Sequence, residues 1–167
     1  MKKLAATIYQ KLPAGVGETI YLRIFSFFKI PLINWVGPRV VELSREKTII
    51  KIPLNRRTKN HFDSLYFGVL CTGADCAGGL AAMEKIKKSG QKVSLAFKSF
   101  NAEFLKRAEG DTYFTCLQGE EINKFVEQVL SSNERQHFPV KITATCPDKL
   151  GDEPVAEFEL LLSLKKK

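Results

Sequence analysis

The stretch RTKNHFDSLYFGVLCTGADCAGGLAAMEKIKKSG, from Arg57 to Gly90, decides the fold of this chain. A polar, basic loop leads into an apolar segment, and between Leu65 and Met83 the only formally charged side chain is Asp75. A segment of about twenty residues is too long for a strand and fits a helix. Because the segment is apolar or small on every side, we expect a helix over about residues 66–88 that the rest of the chain buries.

Glycines make this predicted helix intrinsically weak. Each of four glycines costs up to about 1 kcal/mol relative to Ala; they are Gly68, Gly73, Gly78 and Gly79. Close packing of a sheet, another helix or a ligand must offset that cost, and Gly90 is placed to end the helix. The same glycines and the carboxylate argue against a membrane-spanning segment, because a charge is costly in lipid.

The N-terminal part of the chain predicts a second helix, over residues 17–30, which Pro31 ends or kinks. Its apolar residues recur at helical spacing, at Ile20, Ile24, Phe27 and Phe28. A basic amphipathic helix can lie on a membrane surface, or its stripe can pack on its own domain. We expect the second arrangement, and no stable membrane insertion.

Alternating patterns account for most of the remaining chain. Residues 39–55 indicate a β-hairpin in which Val41 and Leu43 face one side. Four further strands are expected, within residues 92–108, where Val93, Leu95 and Phe97 alternate with Ser94, Ala96 and Lys98, and near residues 111–119, 138–146 and 154–165. A short surface helix is expected near residues 120–131. The expected order is helix, two strands, long buried helix, two strands, short helix, two strands. We expect one domain over residues 1–167, with residues 1–34 as a helical extension.

Charge and composition exclude several classes of function. The formal net charge is +8, but Lys and Arg are scattered apart from NRRTKNH and LKKK, so a small anionic ligand is a more natural partner than nucleic acid. No P-loop, dinucleotide fingerprint or G-x-S-x-G occurs. We expect no cofactor and no metal.

The four cysteines lack zinc-ligand spacing and are expected to be reduced and mostly buried, as in a cytoplasmic protein. The beginning MKKLAATIYQKLPAG starts like a signal peptide, but Tyr9, Gln10 and Lys11 interrupt its apolar part. We therefore expect a cytoplasmic location.

The loop and the helix together resemble hotdog-fold thioesterases. Many thioesterases of the phenylacetyl-CoA type carry Asn-x-x-Gly-x-x-His-Gly-Gly before the central helix, and an acidic residue on that helix. Counting back from Asp75 places the motif's Asn at Asn60 and its last Gly at Gly68. The resemblance, closest to an uncharacterised thioesterase-like branch, covers about residue 35 to the C-terminus. It implies an α+β hotdog fold, with an antiparallel sheet wrapped around the long helix.

Three motif positions differ from the family pattern. Tyr66 replaces the His, Phe67 replaces the first Gly of the pair, and Asp63 replaces the earlier Gly. The His often helps to hold the thioester, and the Gly lies where backbone meets the ligand. The fold inference therefore survives these changes better than the inference about activity.

The resemblance implies a site formed by two subunits of a homodimer, and leaves open whether dimers pair into tetramers. Backbone amides of Phe67, Gly68 and Val69 would bind the thioester carbonyl oxygen at the helix N-terminus. Asp75, on the same helix face as Gly68, would activate water or attack directly; alternatively it makes a structural hydrogen bond.

Other residues have two interpretations each. Asn60 would position substrate or water, or forms a turn. Thr72 would assist Asp75, or bonds back to its own helix. His61 could be a base, although a loop histidine is the simpler interpretation. Tyr66 could donate a hydrogen bond in place of the His, or packs on the helix.

The basic loop has its own two interpretations. Arg57, with Arg56 and Lys59, would bind a CoA phosphate or is simply solvated.

The sequence thus predicts a thioester hydrolase that acts on acyl-CoA or a related acyl thioester. The alternative is a non-catalytic hotdog protein that binds an acyl ligand or a partner, which the residues Tyr66 and Phe67 favour. A third hypothesis is a basic surface-binding module that uses the N-terminal helix on anionic lipid.

Overall fold

A computed structural model describes residues 15–167. Its helices are α1 (Val16–Lys29), α2 (Pro31–Val36), α3 (Phe67–Ser89), α4 (Gly119–Leu130) and α5 (Pro147–Leu150). Its strands are β1 (Arg39–Leu43), β2 (Thr48–Ile52), β3 (Val93–Phe104), β4 (Thr112–Cys116), β5 (Gln136–Thr145) and β6 (Pro154–Lys166). The predicted order of elements is confirmed, and two short helices, α2 and α5, add to it.

The six strands form one antiparallel sheet in the order β1-β2-β4-β5-β6-β3. Helix α3 contacts β2, β3, β4, β5, β6 and helix α4, so the sheet covers much of its circumference. This is the predicted α+β arrangement, an antiparallel sheet around a long helix. The strands β1 and β3 lie at the two edges.

Small side chains let the sheet come close to α3. A Cβ atom at Gly73 would lie 2.4 Å from the ring of Phe114, a fully buried residue of β4. Burial against the sheet offsets the weak helix propensity of the glycines. The helix ends at Gly90, whose φ of 67° is left-handed, as the sequence predicted. Its observed bounds, Phe67–Ser89, lie one residue from the predicted ones.

The apolar stripe of α4 is confirmed: Ile122, Phe125, Val126 and Val129 are buried. The hairpin prediction was wrong in one detail. Val41 is exposed and Val40 is buried, because the register shifts between Val40 and Glu42 and leaves Val41 as an extra residue in β1.

The predicted packing of α1 was also wrong. The stripe of Ile20, Ile24, Phe27 and Phe28 is between 48% and 74% exposed. The helix instead faces its domain with Leu22 and Ser26. Since α1 has apolar side chains on more than one face, periodicity alone could not choose the face that packs.

The predicted single domain, with its extension over residues 1–34, stays a prediction, and residues 1–14 lie outside the described residues. All four cysteines are free; three are buried and Cys71 is half-buried. Between residues 15 and 167, no helix combines the length and hydropathy needed to cross a bilayer.

The packing of α3 predicts opposite effects of one methyl group at two glycines. Gly73→Ala should lower the free energy of unfolding by about 1–3 kcal/mol, because the Phe114 ring cannot move away within a packed core. Gly79→Ala is the matched control. Its Cβ would lie 3.7 Å from Phe97, an ordinary contact, so the higher helix propensity of Ala should raise stability by up to about 1 kcal/mol. Urea denaturation measures both; equal effects would contradict this account of the packing.

Candidate functional site

Asp75 lies in the wall of an apolar cavity of about 370 Å³. The cavity is formed by α1, the α1–α2 junction, α2, α3 and the first part of β3. Among its apolar lining residues are Tyr21, Phe25, Ile33, Leu80, Met83 and Phe97. The only formally charged lining residues are Asp75 and Lys87, and Lys87 lies over the Tyr21 ring with its Nζ atom 3.7 Å from the ring centroid. A carboxylate thus faces a space of the size and polarity that suits an apolar ligand.

Burial raises the pKa of Asp75 above the usual value for a carboxyl group. No hydrogen bond or cation from residues 15–167 opposes that shift. The structural hydrogen bond considered from the sequence is therefore not present among the described residues. A carboxylate with a raised pKa and no structural partner is a stronger base than an ordinary surface carboxylate.

Cys76 also lines the cavity but is not a competing nucleophile. Burial raises the pKa of its thiol far above the ordinary value, and the charge of the neighbouring Asp75 adds to the effect. Because the thiolate is the reactive form, Cys76 is inert near neutral pH.

The N-terminus of α3 lies outside this cavity. Tyr66 is the N-cap residue, and its carbonyl oxygen accepts hydrogen bonds from the amides of Val69 (2.9 Å) and Leu70 (3.0 Å). The Val69 amide, which the resemblance placed in an oxyanion site, therefore already has a partner within its own helix. Phe67 and Gly68 are the first two residues of the helix, where amides have no intrahelical partner.

The ring of Tyr66 packs closely against the helix at Gly68. A Cβ atom at Gly68 would lie 2.8 Å from the Tyr66 ring, so the ring lies directly against the helix backbone. The Tyr66 ring also packs on Phe67, with 4.7 Å between the centroids, and both residues are exposed. Of the two interpretations of Tyr66, packing on the helix is the one that describes this contact.

Asn60 organises the loop before α3. Its Oδ1 atom accepts hydrogen bonds from the backbone amide of Phe62 (2.9 Å) and from the amide and hydroxyl of Ser64 (3.3 and 3.2 Å). Asp63, at the place of a motif glycine, has a left-handed φ of 56°. Asp tolerates this region better than most residues, which explains how the loop keeps its path without glycine.

The other predicted site residues also have local contacts. The Thr72 hydroxyl donates to the Gly68 carbonyl at 2.8 Å, which is the bond back to its own helix. His61 is exposed and packs on Phe62, with 3.9 Å between the ring centroids. The guanidinium of Arg57 lies 4.9 Å from the ring centroid of Trp35.

Within one protomer, then, the structure does not place the predicted site residues together. Of the predicted site residues, Asp75 alone lines the cavity. The residues predicted from the sequence that do not line it are Asn60, His61, Tyr66, Phe67, Gly68, Thr72 and Arg57.

Sequence reasoning missed the apolar walls of the cavity. Tyr21 and Phe25 come from α1, and Leu95 and Phe97 come from β3. The sequence carried two signals for these residues. One is a second apolar side of α1, next to the stripe that was predicted to pack, and the other is the alternation of Leu95 and Phe97 in the predicted strand.

Solved structures with the same architecture define the class of fold. A protein of unknown function from Chlorobaculum tepidum superposes with a TM-score of 0.76 at 15% identity, over 92% of this chain and 98% of its own. A Pseudomonas aeruginosa protein described as a probable thioesterase gives 0.71 at 22% identity, over 93% and 97%. A thioesterase from Haemophilus influenzae gives 0.62 at 14% identity, over 86% and 88%. The chain shares the fold of these three proteins, which is the predicted hotdog fold.

The family follows from the sequence match. Residues 17–160 match the model of the family described as Domain of unknown function (DUF4442), and the chain belongs to that family. No curated protein matches it.

The buried carboxylate predicts an unusual dependence of stability on pH. Because the folded state raises the pKa of Asp75, it binds the proton more tightly than the unfolded state, where the pKa is about 3.9. The contribution of Asp75 to the free energy of unfolding therefore falls as the pH rises from the unfolded pKa through the folded pKa. Asp75→Asn should stabilise the protein near neutral pH, and the gain should shrink as the pH falls toward 4.

Denaturant unfolding of both proteins across this pH range measures the effect. Asp152→Asn is the matched control, because Asp152 is exposed in the turn before β6. A gain from Asp75→Asn that is the same at every pH would contradict the assignment to the buried charge.

Proposed function

We propose that the protein hydrolyses an acyl thioester, with acyl-CoA or a related acyl carrier as substrate, and that Asp75 is its base or nucleophile. One observation carries the proposal: Asp75, the only carboxylate between Leu65 and Met83, has a raised pKa, has no described structural partner and lines an apolar cavity. Its hotdog fold, shared with thioesterase-family proteins, supports the same chemistry.

In this mechanism the apolar cavity holds the acyl chain and Asp75 takes a proton from water. The water attacks the thioester carbonyl carbon, and the tetrahedral intermediate then expels the thiolate, which takes up a proton. The amides of Phe67 and Gly68 would bind the oxyanion. Because these amides lie outside the cavity of their own protomer, a second protomer has to supply them, as in a site shared by two subunits.

The carrier would be bound by the basic loop. Arg56 and Arg57 are exposed beside Lys59, and a planar guanidinium suits a phosphate group. The free, largely buried cysteines are consistent with a cytoplasmic location, which we propose for the protein.

A second candidate function, acyl binding without turnover, has a specific observation in its favour. Asn60 and Thr72, which would position substrate or assist Asp75, make local hydrogen bonds instead. Phe67 occupies a motif position that is glycine in the thioesterases that the sequence resembles.

An acyl-CoA panel of varied chain length separates the two functions. If Asp75 is the base, Asp75→Asn should lower kcat by roughly 100-fold to 10,000-fold, the usual contribution of general base catalysis. Asp152→Asn should keep full activity and serves as the control. Hydrolysis that is equal in both variants would remove Asp75 from the mechanism. Binding of acyl-CoA by calorimetry, with no turnover of any panel member, would favour the second function.

The shared site requires a dimer, and we propose that two copies pair along β3. This twelve-residue strand lies at a sheet edge, and Phe100 and Phe104 on it are exposed. A long, exposed, apolar edge strand is a template for pairing with another chain. Across a two-fold axis, residues near the middle of β3 would face their own copies.

Sedimentation velocity tests this pairing. The unmodified protein should sediment as a dimer or a dimer of dimers, and Phe100→Lys should shift it to monomers, because like charges would meet at the axis. Leu117→Lys, at an exposed position after β4, should leave the mass unchanged. A strict monomer before any substitution would contradict the shared site.

A further inference from the structure

The outer face of α1 and α2 is a large exposed apolar surface. Ile20, Ile24, Phe27 and Phe28 follow each other at helical spacing on α1, and Leu32 and Trp35 follow at the spacing of one turn on α2. We call these six residues the apolar face. No described residue buries them, and exposed apolar surface of this extent in a soluble domain marks an interaction site.

Most of the charge next to the apolar face is positive, and the carboxylate of Asp111 lies near Arg39. Between Glu18 and Glu42 the chain has three cations, Arg23, Lys29 and Arg39, and no carboxylate. Arg57 adds a fourth cation, stacked on Trp35. The pKa of Arg23 is lowered first by burial and then by Arg39 and Arg57, which shows that these cations are close enough to repel each other.

The face also adjoins the cavity. The adjoining side of α1 supplies Tyr21, Leu22 and Phe25 to the cavity wall. Ile30, between α1 and α2, is exposed and lines the cavity as well. The rim of the cavity therefore reaches the surface that carries the apolar face.

We propose that the apolar face docks on an anionic phospholipid bilayer. Aromatic and aliphatic side chains with basic neighbours are the chemistry of helices that lie in the membrane interface, with the apolar side below the headgroups. The described helices are too short or too polar to span the bilayer, so the contact is peripheral. The proposal stands on this surface and is independent of thioester hydrolysis.

The charges next to the apolar face favour an anionic bilayer over a second copy of the chain as its binding partner. Two copies of the apolar face across a two-fold axis would bring cations against cations without one carboxylate from residues 19–41 to pair with them. Anionic headgroups complement the same cations. Docking would place the cavity rim next to the acyl chains of the lipid.

Trp35 provides the direct measurement, because it is the only Trp of the chain and is 58% exposed. Vesicles of phosphatidylcholine mixed with phosphatidylglycerol should shift its fluorescence to shorter wavelength and float the full-length protein. Vesicles of phosphatidylcholine alone should bind much less protein, and added salt should weaken binding to the anionic vesicles.

Two pairs of substitutions test the two parts of the contact. Phe27→Ser with Phe28→Ser should lower the partition coefficient at least about tenfold, since two exposed aromatic rings no longer enter the interface. Lys29→Glu with Arg39→Glu should lower it by a similar factor on anionic vesicles. The matched controls are Leu117→Ser for the apolar pair, and Lys141→Glu with Lys165→Glu for the charge pair, all at exposed positions. Circular dichroism confirms that each variant is folded.

Three outcomes would overturn the proposal. One is the absence of binding to either kind of vesicle. Another is a loss of vesicle binding in the control variants that is as large as the loss in the test variants. The third is a lower sedimentation mass of the Phe27→Ser, Phe28→Ser variant without any vesicles, which would make a second copy the occupant.

Discussion

The short distance between α3 and the sheet around it governs the whole domain. At Gly73 the ring of Phe114 occupies the space of a side chain, and at Gly78 the side chains of Ile142 and Val140 would lie 3.3 and 3.5 Å from a Cβ atom. A helix so rich in glycine is weak by itself. It persists because the sheet covers it, and the sheet in turn depends on α3 to bury the inner side chains of β2, β4, β5 and β6.

This packing restricts where the buried part of α3 can hold a carboxylate. Sheet side chains fill the space at Gly73 and Gly78, so a charged group there would have no water and no room. Asp75 instead faces the cavity between α1 and β3, where it keeps partial contact with solvent. Even there, burial disfavours the ionised form of Asp75, and no described cation or hydrogen-bond donor stabilises that form. A residue that lowers stability and has no structural role is typical of a functional site.

The sequence predicted the helices and strands well, but it predicted less well which side of each of them is buried. The length and composition of the Asp75 segment predicted α3 to within one residue, and the stripe of α4 predicted its buried side. Periodicity shows which faces of a helix are apolar. When a helix has two apolar faces, as α1 does, periodicity cannot tell which of them packs on the domain. The extra residue in β1 is likewise invisible to a pattern of period two. The cavity could not be predicted because its walls come from elements far apart in the chain.

The loop before α3 shows why the fold and the candidate site were predictable to different degrees. Asp63 adopts the left-handed backbone that a motif glycine would provide, and Asn60 fixes the turn through its side-chain oxygen. The loop therefore keeps its form after the glycine is lost, and the motif spacing remains a valid sign of the fold. Chemistry is more demanding, because Tyr66 places a phenol where the family motif has an imidazole, and the two groups differ as proton carriers. The proposed mechanism therefore assigns proton transfer to Asp75 on the helix and not to the loop.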